Sequence, residues 1–282
     1  TRNRGIRALC NLQRIRPETL TEQDVVFSLT PRLNAASRMD HPVKAFELLQ
    51  SSSDEKAKAA AVALDRLNTR RKTTVARIMK SVHARLDGVD LPEVVVVGER
   101  EWEQGVLGLI ASKIVEKYNV AAFVWSEQRD GVIKGSCRTT HGIHLVDLMR
   151  SCPDETWLHF GGHAGAGGFA LTTQSLISLQ GTLNTALADK RADIQSDTDD
   201  DIVVDAVVIP GDLTMTLYDS LRACAPFGVG NPEPVLAIRA RIREVSQFGK
   251  AKDHLKLMLV GQGGEGIEAI KFYATPRSEE HT

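Results

Sequence analysis

Two stretches of this chain carry groups suited to holding an anion. Gly161-Gly162-His163-Ala164-Gly165-Ala166-Gly167-Gly168 reads as a glycine loop around one histidine, and Gly135-Ser136-Cys137-Arg138, upstream, as a tight turn presenting a hydroxyl and a guanidinium. Glycine lacks a Cβ, so backbone N–H groups there can close on a phosphate, and left-handed φ values cost little. Serine, arginine and histidine add side-chain donors that phosphate oxygens accept from, arginine bidentately. The chemistry this pattern predicts is binding of a phosphate group in a cleft. The same residues also fit a plainer arrangement, two loops packed close against strands, and glycine content alone does not separate the two.

The elements that must position these residues follow from periodicity. The β-branched run at 93–97 predicts a buried strand, 104–118 a helix and 120–125 a second buried strand. Residues 131–138 predict a third strand ending at the serine and arginine, followed by a short helix at 143–149, the glycine loop, a strand at 168–171 and a helix from 174 to about 188. Strands alternating with helices make an α/β domain, in which ligands sit near strand ends. Upstream, residues 1–50 read as short helices around a loop at 30–38. Residues 54 to about 86 read as one long helix, with Ala57, Ala60, Leu64, Leu67, Val75, Ile78, Val82 and Leu86 recurring at three- and four-residue steps. Ser51, Ser52 and Ser53 offer N-caps and Gly88 a stop. Such a helix is roughly 50 Å long, which suits a rod joining two domains; a surface helix of a single domain is the other reading.

Downstream, Asp189, Asp193, Asp197, Asp199, Asp200, Asp201 and Asp205 form an acidic cluster that reads as a solvated linker. Beyond it, apolar or alternating runs at 202–209, 235–245, 254–260 and 268–273, with a helix at 213–223, predict a barrel or sandwich. Phe227-Gly228-Val229-Gly230-Asn231-Pro232-Glu233-Pro234 is a turn-rich approach to that sheet.

With 282 residues, 42% of them hydrophobic, the chain can bury a core in two or three units. It has no apolar run of bilayer-spanning length. The four scattered cysteines, without C-x-x-C, argue against a disulfide framework or a zinc knuckle and lead us to expect a reducing cytoplasm. A net charge of −1 hides an asymmetry, since residues 1–90 carry +7 and the rest −8. The basic third suits a polyanion, or simply a solvated helix surface. The chain opens on Thr1 without a secretory pattern, and residues 277–282 match the translation of a common sequencing adapter. Both are expected of a fragment with a non-native tail.

Together these motifs resemble the RecJ family of single-strand-specific DNA exonucleases, in the DHH phosphoesterase superfamily, over residues 5 to 275. Pro31-Arg32-Leu33-Asn34-Ala35-Ala36-Ser37-Arg38 is similar to the family's P-R-[IL]-N-A-A-G-R, with Ser37 where glycine is usual. Trp102-Glu103-Gln104-Gly105-Val106-Leu107-Gly108-Leu109-Ile110-Ala111-Ser112 resembles W-H-x-G-V-I-G-I-V-A-S, with Glu103 replacing histidine. Gly135-Ser136-Cys137-Arg138 matches G-S-x-R, and Gly161-Gly162-His163 with Ala166-Gly167 matches G-G-H-x-x-A-G of the DHH-associated domain. Pro226 to Pro234 is similar to P-F-G-x-G-N-P-E-P, and His254-Leu255-Lys256 to H-[LV]-K, both of the family's OB-like domain.

The resemblance implies a remnant of the DHH catalytic domain (1–50), a connecting helix (51–88), a DHH-associated α/β domain (89–190), an acidic linker with an OB-like β-rich domain (191–276) and the tail. It implies 5′→3′ hydrolysis of single-stranded DNA with Mn²⁺ or Mg²⁺, in repair and recombination. A single-strand-binding protein or a helicase is a candidate partner. The family's Asp-His-His does not occur here, and the D-x-D pattern falls only within the acidic linker at 197–201, so the metal ligands are expected outside this chain. His141 and His144, three residues apart, are not expected to be metal ligands. By the same resemblance His163 is the catalytic candidate, stabilising charge on the scissile phosphate, while Ser136, Arg138, Gly161 and Gly162 hold phosphate. Arg32, Asn34 and Arg38 fit phosphate contact or bracing of the domain, and Gln104 fits DNA contact or a helix cap. In the OB-like segment, Arg239, Arg241, Arg243, Lys250, Lys252 and Lys256 are expected to track a strand electrostatically, with few aromatics (Phe248, Phe272, Tyr273) for stacking. Two rivals share the motifs: a DHH phosphoesterase acting on short oligonucleotides or cyclic dinucleotides, and a non-catalytic single-strand-binding relative.

Overall fold

A computed structural model describes residues 1–127, 130–139, 142–190, 203–249, 252, 254–261, 263–272 and 274. They belong to two compact units, Thr1–Asp199 and Asp200–Thr282.

The first unit is organised by its long helix. Helices α1 (Arg4–Leu12), α3 (Thr30–Met39) and α4 (Val43–Leu49) pack on α5 (Asp54–Leu86), with the single turn α2 (Glu22–Asp24) and a π-helical turn at Val25–Leu29 leading into α3. Residues 30–38, expected as a loop, are helical. Pro31 falls in the first turn, where a missing N–H is harmless, and Ala35 and Ala36 are good helix formers buried beneath. The bounds of α5 follow from its caps. The Ser53 hydroxyl accepts from the Lys56 N–H, Asp54 and Glu55 lie at the positive end, and His83 and Arg85 at the negative end.

The apolar face of α5 serves two cores in turn. Ala61 and Leu64 join Leu9, Cys10, Leu29, Ala36 and Leu48, whereas Val75, Ile78, Met79 and Val82 pack under α6 (Gln104–Tyr118). That second cluster includes Val95, Val97, Ala122 and Val124, one face of a five-stranded sheet. Its strands are β1 (Val94–Gly98), β2 (Ala121–Glu127), β3 (Ile133–Arg138), β4 (His159–His163) and β5 (Ala166–Leu171), in the order β1-β2-β3-β5-β4. Only β1 and β2 are parallel, and α6 makes the crossover between them. The opposite face carries α7 (Leu145–Arg150) and α8 (Thr173–Lys190) over Phe123, Trp157, Phe169 and Leu171. At the β1 edge, the Gln180 side chain of α8 accepts from the Val96 N–H at 2.8 Å and donates to the Val94 carbonyl at 2.7 Å, as a neighbouring strand would.

Two expectations are corrected here. The glycine loop is a β-hairpin, β4–β5, and Gly135 to Arg138, read both as a tight turn and as the end of a strand over 131–138, is the strand, β3, paired on both sides. Glycine carries no hydropathy, so period-two alternation is invisible in such a run, and the strand is defined by its partners instead.

The second unit comprises β6 (Ala206–Val208), α9 (Met215–Arg222), β7 (Leu236–Ile238), β8 (Arg241–Phe248), β9 (His254–Val260) and β10 (Gly266–Lys271). An antiparallel sheet β8-β9-β10 stands beside a parallel pair β6-β7. The run at 235–245 is thus two strands rather than one. In the turn-rich segment the Asn231 amide donates to the carbonyls of Cys224 (3.0 Å) and Pro226 (2.9 Å), which explains an asparagine there. Residues 191–202 and 277–282 lie outside the described residues.

Phe123 is fully buried between Trp157 and Phe169, at ring distances of 6.3 and 5.6 Å. Phe123→Ala is therefore expected to cost about 3–5 kcal/mol in urea unfolding; a loss under 1 kcal/mol would contradict this packing. Burial pushes the Cys137 thiol from 9.0 up to about 12 and that of Cys152 from 9.0 up to about 11. Unfolded, both thiols ionise near 9.0, so their contribution is complete below that pH and is lost as pH rises through the folded values. Thermal unfolding between pH 8 and 11 is expected to show the decline, less steeply in a Cys137→Ala, Cys152→Ala double variant.

Candidate phosphate-binding site

Strand alternation places the predicted residues on one sheet face. In β3, Ile133 and Cys137 enter the core beneath α7 and α8, so Lys134, Ser136 and Arg138 face the other way. The register then aligns three rows across β3, β5 and β4. Arg138 pairs with Ala166 and Ala166 with His163; Ser136 with Gly168 and Gly168 with Gly161; Lys134 with Ala170 and Ala170 with His159. His163 and Arg138 therefore stand two strands apart, about 10 Å, across a floor that bears nothing larger than a methyl group.

The glycines on the two faces have different reasons for being there. A Cβ on Gly167 would lie 2.9 Å from Cys137 Sγ and 3.0 Å from Met149 Cε, and one on Gly162, at φ +150°, would lie 2.2 Å from the Ala166 carbonyl oxygen. Packing accounts for both. A Cβ on Gly161 would meet nothing within 4 Å, and one on Gly168 only the Gly135 carbonyl oxygen at 3.6 Å. Internal packing leaves these two free to be larger, so their smallness keeps the face open. β4 is also the outer strand, with one side of its backbone unpaired by the sheet.

The side chains around this floor are poised as donors. The Gly165 N–H donates to His163 Nδ1 at 3.3 Å, so a neutral ring carries its proton on the outward Nε2. The turn is anchored by the Leu145 N–H, at the start of α7, donating to the Ala164 carbonyl at 2.9 Å. Arg138 donates one Nη1 bond to the Cys137 carbonyl at 2.7 Å, and its Nη2 lies 3.2 Å from where a Cβ on Gly108 would be, with Ser136 Oγ at 3.7 Å. Gly108 of α6 thus makes room for the guanidinium. No carboxylate pairs with Arg138 among the described residues.

The remaining predicted residues divide. Arg32 pairs with Asp65 of α5 at 2.7 Å and donates to the Ser28 carbonyl at 2.6 Å, so it braces α3 on α5. Arg38 donates to the Gly105 carbonyl at 3.1 Å, which ties α3 to the start of α6. Asn34 is exposed on α3. Gln104 is exposed as the first residue of α6, and the N-cap position falls to Glu103, which pairs with Arg77 at 3.0 Å. Lys134 and His159 extend the donor face by one row and escaped the motif reading. Their signal was the strand period itself, two residues before Ser136 and four before His163.

Among the described residues, no group of three or more His, Cys, Asp or Glu side chains could hold a metal ion. His144 caps α7, accepting from the Asp147 N–H at 3.3 Å, and His141 lies outside the described residues. The donor set here suits phosphate and does not fit a metal centre. In the second unit, Arg239, Arg241, Arg243, Lys252 and Lys256 are exposed, with Lys256 paired to Glu268 at 2.7 Å. Phe248, His254 and Phe272 cluster at ring distances of 5.1 to 6.3 Å. Lys250 and Tyr273 lie outside the described residues.

The chain is similar to known proteins over most of its length. Residues 91–189 match the DHHA1 domain family and residues 204–282 the RecJ OB domain family. The single-stranded-DNA-specific exonuclease RecJ of Haemophilus influenzae is 29% identical over an alignment of 284 residues, covering 97% of this chain and 49% of that protein. RecJ of Bacillus subtilis is 30% identical over 258 residues, covering 89% and 32%. The crystal structure of RecJ from Thermus thermophilus in complex with Mg²⁺ matches with a TM-score of 0.77 at 26% identity, over 98% of this chain and 41% of that one. The chain spans about half the length, or less, of the curated relatives it matches.

Gly161→Ala is expected to leave the thermal midpoint within a degree or two and weaken binding of a phosphorylated strand, whereas Gly167→Ala lowers the midpoint through its contact with Cys137 and Met149. Differential scanning fluorimetry with a binding titration separates the two; equal destabilisation would refute the distinction between the faces.

Proposed function

We propose, for a chain that carries a DHHA1 domain followed by a RecJ OB domain, that it is the substrate-holding part of a RecJ-type exonuclease acting 5′→3′ on single-stranded DNA in repair and recombination. One observation carries the reading: the rows that set His163, Ser136 and Arg138 around the open floor of Gly161 and Gly168. Arg138 clamps a phosphate bidentately and Ser136 donates its hydroxyl to the same group. His163 donates from Nε2 to the scissile phosphate and gains strength as charge builds there. Divalent ions, Mg²⁺ or Mn²⁺, would supply the activated water when bound, on ligands outside the described residues. Residues 1–50 are the remnant of the DHH domain, with α5 as the rod connecting it to the domain at 89–190. Arg32 and Arg38 brace that joint, and Asn34 and Gln104 face the strand. The OB domain, with its exposed arginines, supports a polymeric substrate over a dinucleotide, and a single-strand-binding protein or helicase remains a candidate partner. No described helix is long and apolar enough to cross a membrane. All four cysteines are free, which suits a reducing cytoplasm.

The test is fluorescence anisotropy of the chain with 5′-phosphorylated single-stranded DNA and with a duplex of equal length. Salt-sensitive binding that prefers the single strand, weakened about tenfold by Arg138→Ala, is the expected result. Equal binding to the duplex, or an Arg138→Ala variant indistinguishable from the parent, would overturn the reading.

A further inference from the structure

Between its two hydrophobic stretches, α5 turns polar side chains inward. Asn68 follows Leu64 by one turn and is 1% exposed, and Arg71 lies three residues further along the same face. Asn68 Oδ1 and Arg71 Nε are both buried without a hydrogen-bond partner. No carboxylate pairs with Arg71 among the described residues. Burial first, then the positive charges of Arg38 and Arg32, push its guanidinium below the ordinary range for arginine. Asp65 offsets Arg32 at 2.7 Å, while Arg38 has only the Gly105 carbonyl, so among the described residues the cluster keeps two cations without a counter-charge. A half-buried cation beside like charges costs stability, and each orphaned polar atom adds to that cost. Phosphate oxygens answer the need of the half-buried guanidinium, which lies at the edge of the enclosed Asn68.

We infer that Arg71, with Arg38, forms a second phosphate-binding position for the DNA strand, on the long helix and separate from the β3–β4 face. The inference rests on the proposed function. The geometry also joins the two positions. The Arg38 backbone lies against Gly105 and the Arg138 guanidinium against Gly108, on one face of α6. Neighbouring positions on a helix are 5–6 Å apart, so the Arg38 backbone and the Arg138 guanidinium are within about 12 Å. A strand held at Arg138 can reach Arg71 along the start of α6.

Arg71→Met keeps the length of the side chain and removes its charge. With 5′-phosphorylated, mixed-sequence single-stranded DNA, the variant is expected to bind about tenfold more weakly. The slope of log affinity against log salt should fall by about 0.7, and the thermal midpoint should stay level or rise. Arg71→Lys is expected to keep most of the parental slope. A purely structural arginine would instead give a lower midpoint with the slope of the parent, and that result overturns the inference. So does parental binding by Arg71→Met while Arg138→Ala binds weakly, which leaves the proposed function standing. Failure of the parent chain to bind single-stranded DNA overturns the function, and this inference with it.

Discussion

Everything near the site depends on how closely other elements can approach the first turns of α6. A Cβ on Gly105 would lie 1.9 Å from the Arg38 carbonyl oxygen, so no larger residue lets α3 seat there. One turn on, Gly108 leaves the space into which the Arg138 guanidinium folds. The helix bundle built on α5 and the sheet carrying the GGH hairpin thus meet across one bare helical surface. Bulk on that surface would separate the two groups of arginines and disturb the sheet face at the same time. In this chain, backbone proximity at α6 does what a bound ion or a disulfide does elsewhere, fixing the spacing between functional groups that come from distant parts of the sequence.

How much of this was readable from the sequence varies with the range of the forces involved. The bounds of α5 were legible at both ends, because Ser53, Asp54 and Glu55 at one end and Gly88 at the other act within a turn. The bounds of α6 and the β-branched strands were legible for similar local reasons. The hairpin was not. Gly161 to His163 become a strand only because β5 lies beside them, and β5 is held by β3 some thirty positions upstream. The bracing role of Arg32 was hidden as well, since its counter-charge Asp65 is 33 residues away. Motif similarity pointed to His163, Ser136 and Arg138 but could not say which glycines are held small by packing; only the opposite faces of the sheet separate them.

The arginines of the first unit sort by whether their charge is already answered. Arg32, Arg77 and Arg85 each have a carboxylate, on Asp65, Glu103 and Glu99. These pairs hold α5 to its neighbours, and solvent weakens the more exposed of them. Arg138 and Arg71 have none among the described residues. Charge that folding leaves unanswered stays available to a polyanion, so the pattern of ion pairs outlines the surface by what it omits. A formal charge near neutrality conceals this, because the acids that balance the sum lie mostly beyond residue 90.

The two edges of the five-stranded sheet are treated unequally. At β1 the Gln180 amide takes the place of a neighbouring strand, while among the described residues no strand pairs with the outer side of β4. Growth of a sheet into a fibre needs two receptive edges per molecule, since each added copy must accept another. With one edge occupied by a side chain, pairing through this sheet stops at two copies joined β4 to β4. The glycine-rich edge can therefore remain bare without seeding an unending array, and an amide on the far side of the sheet is what sets that limit.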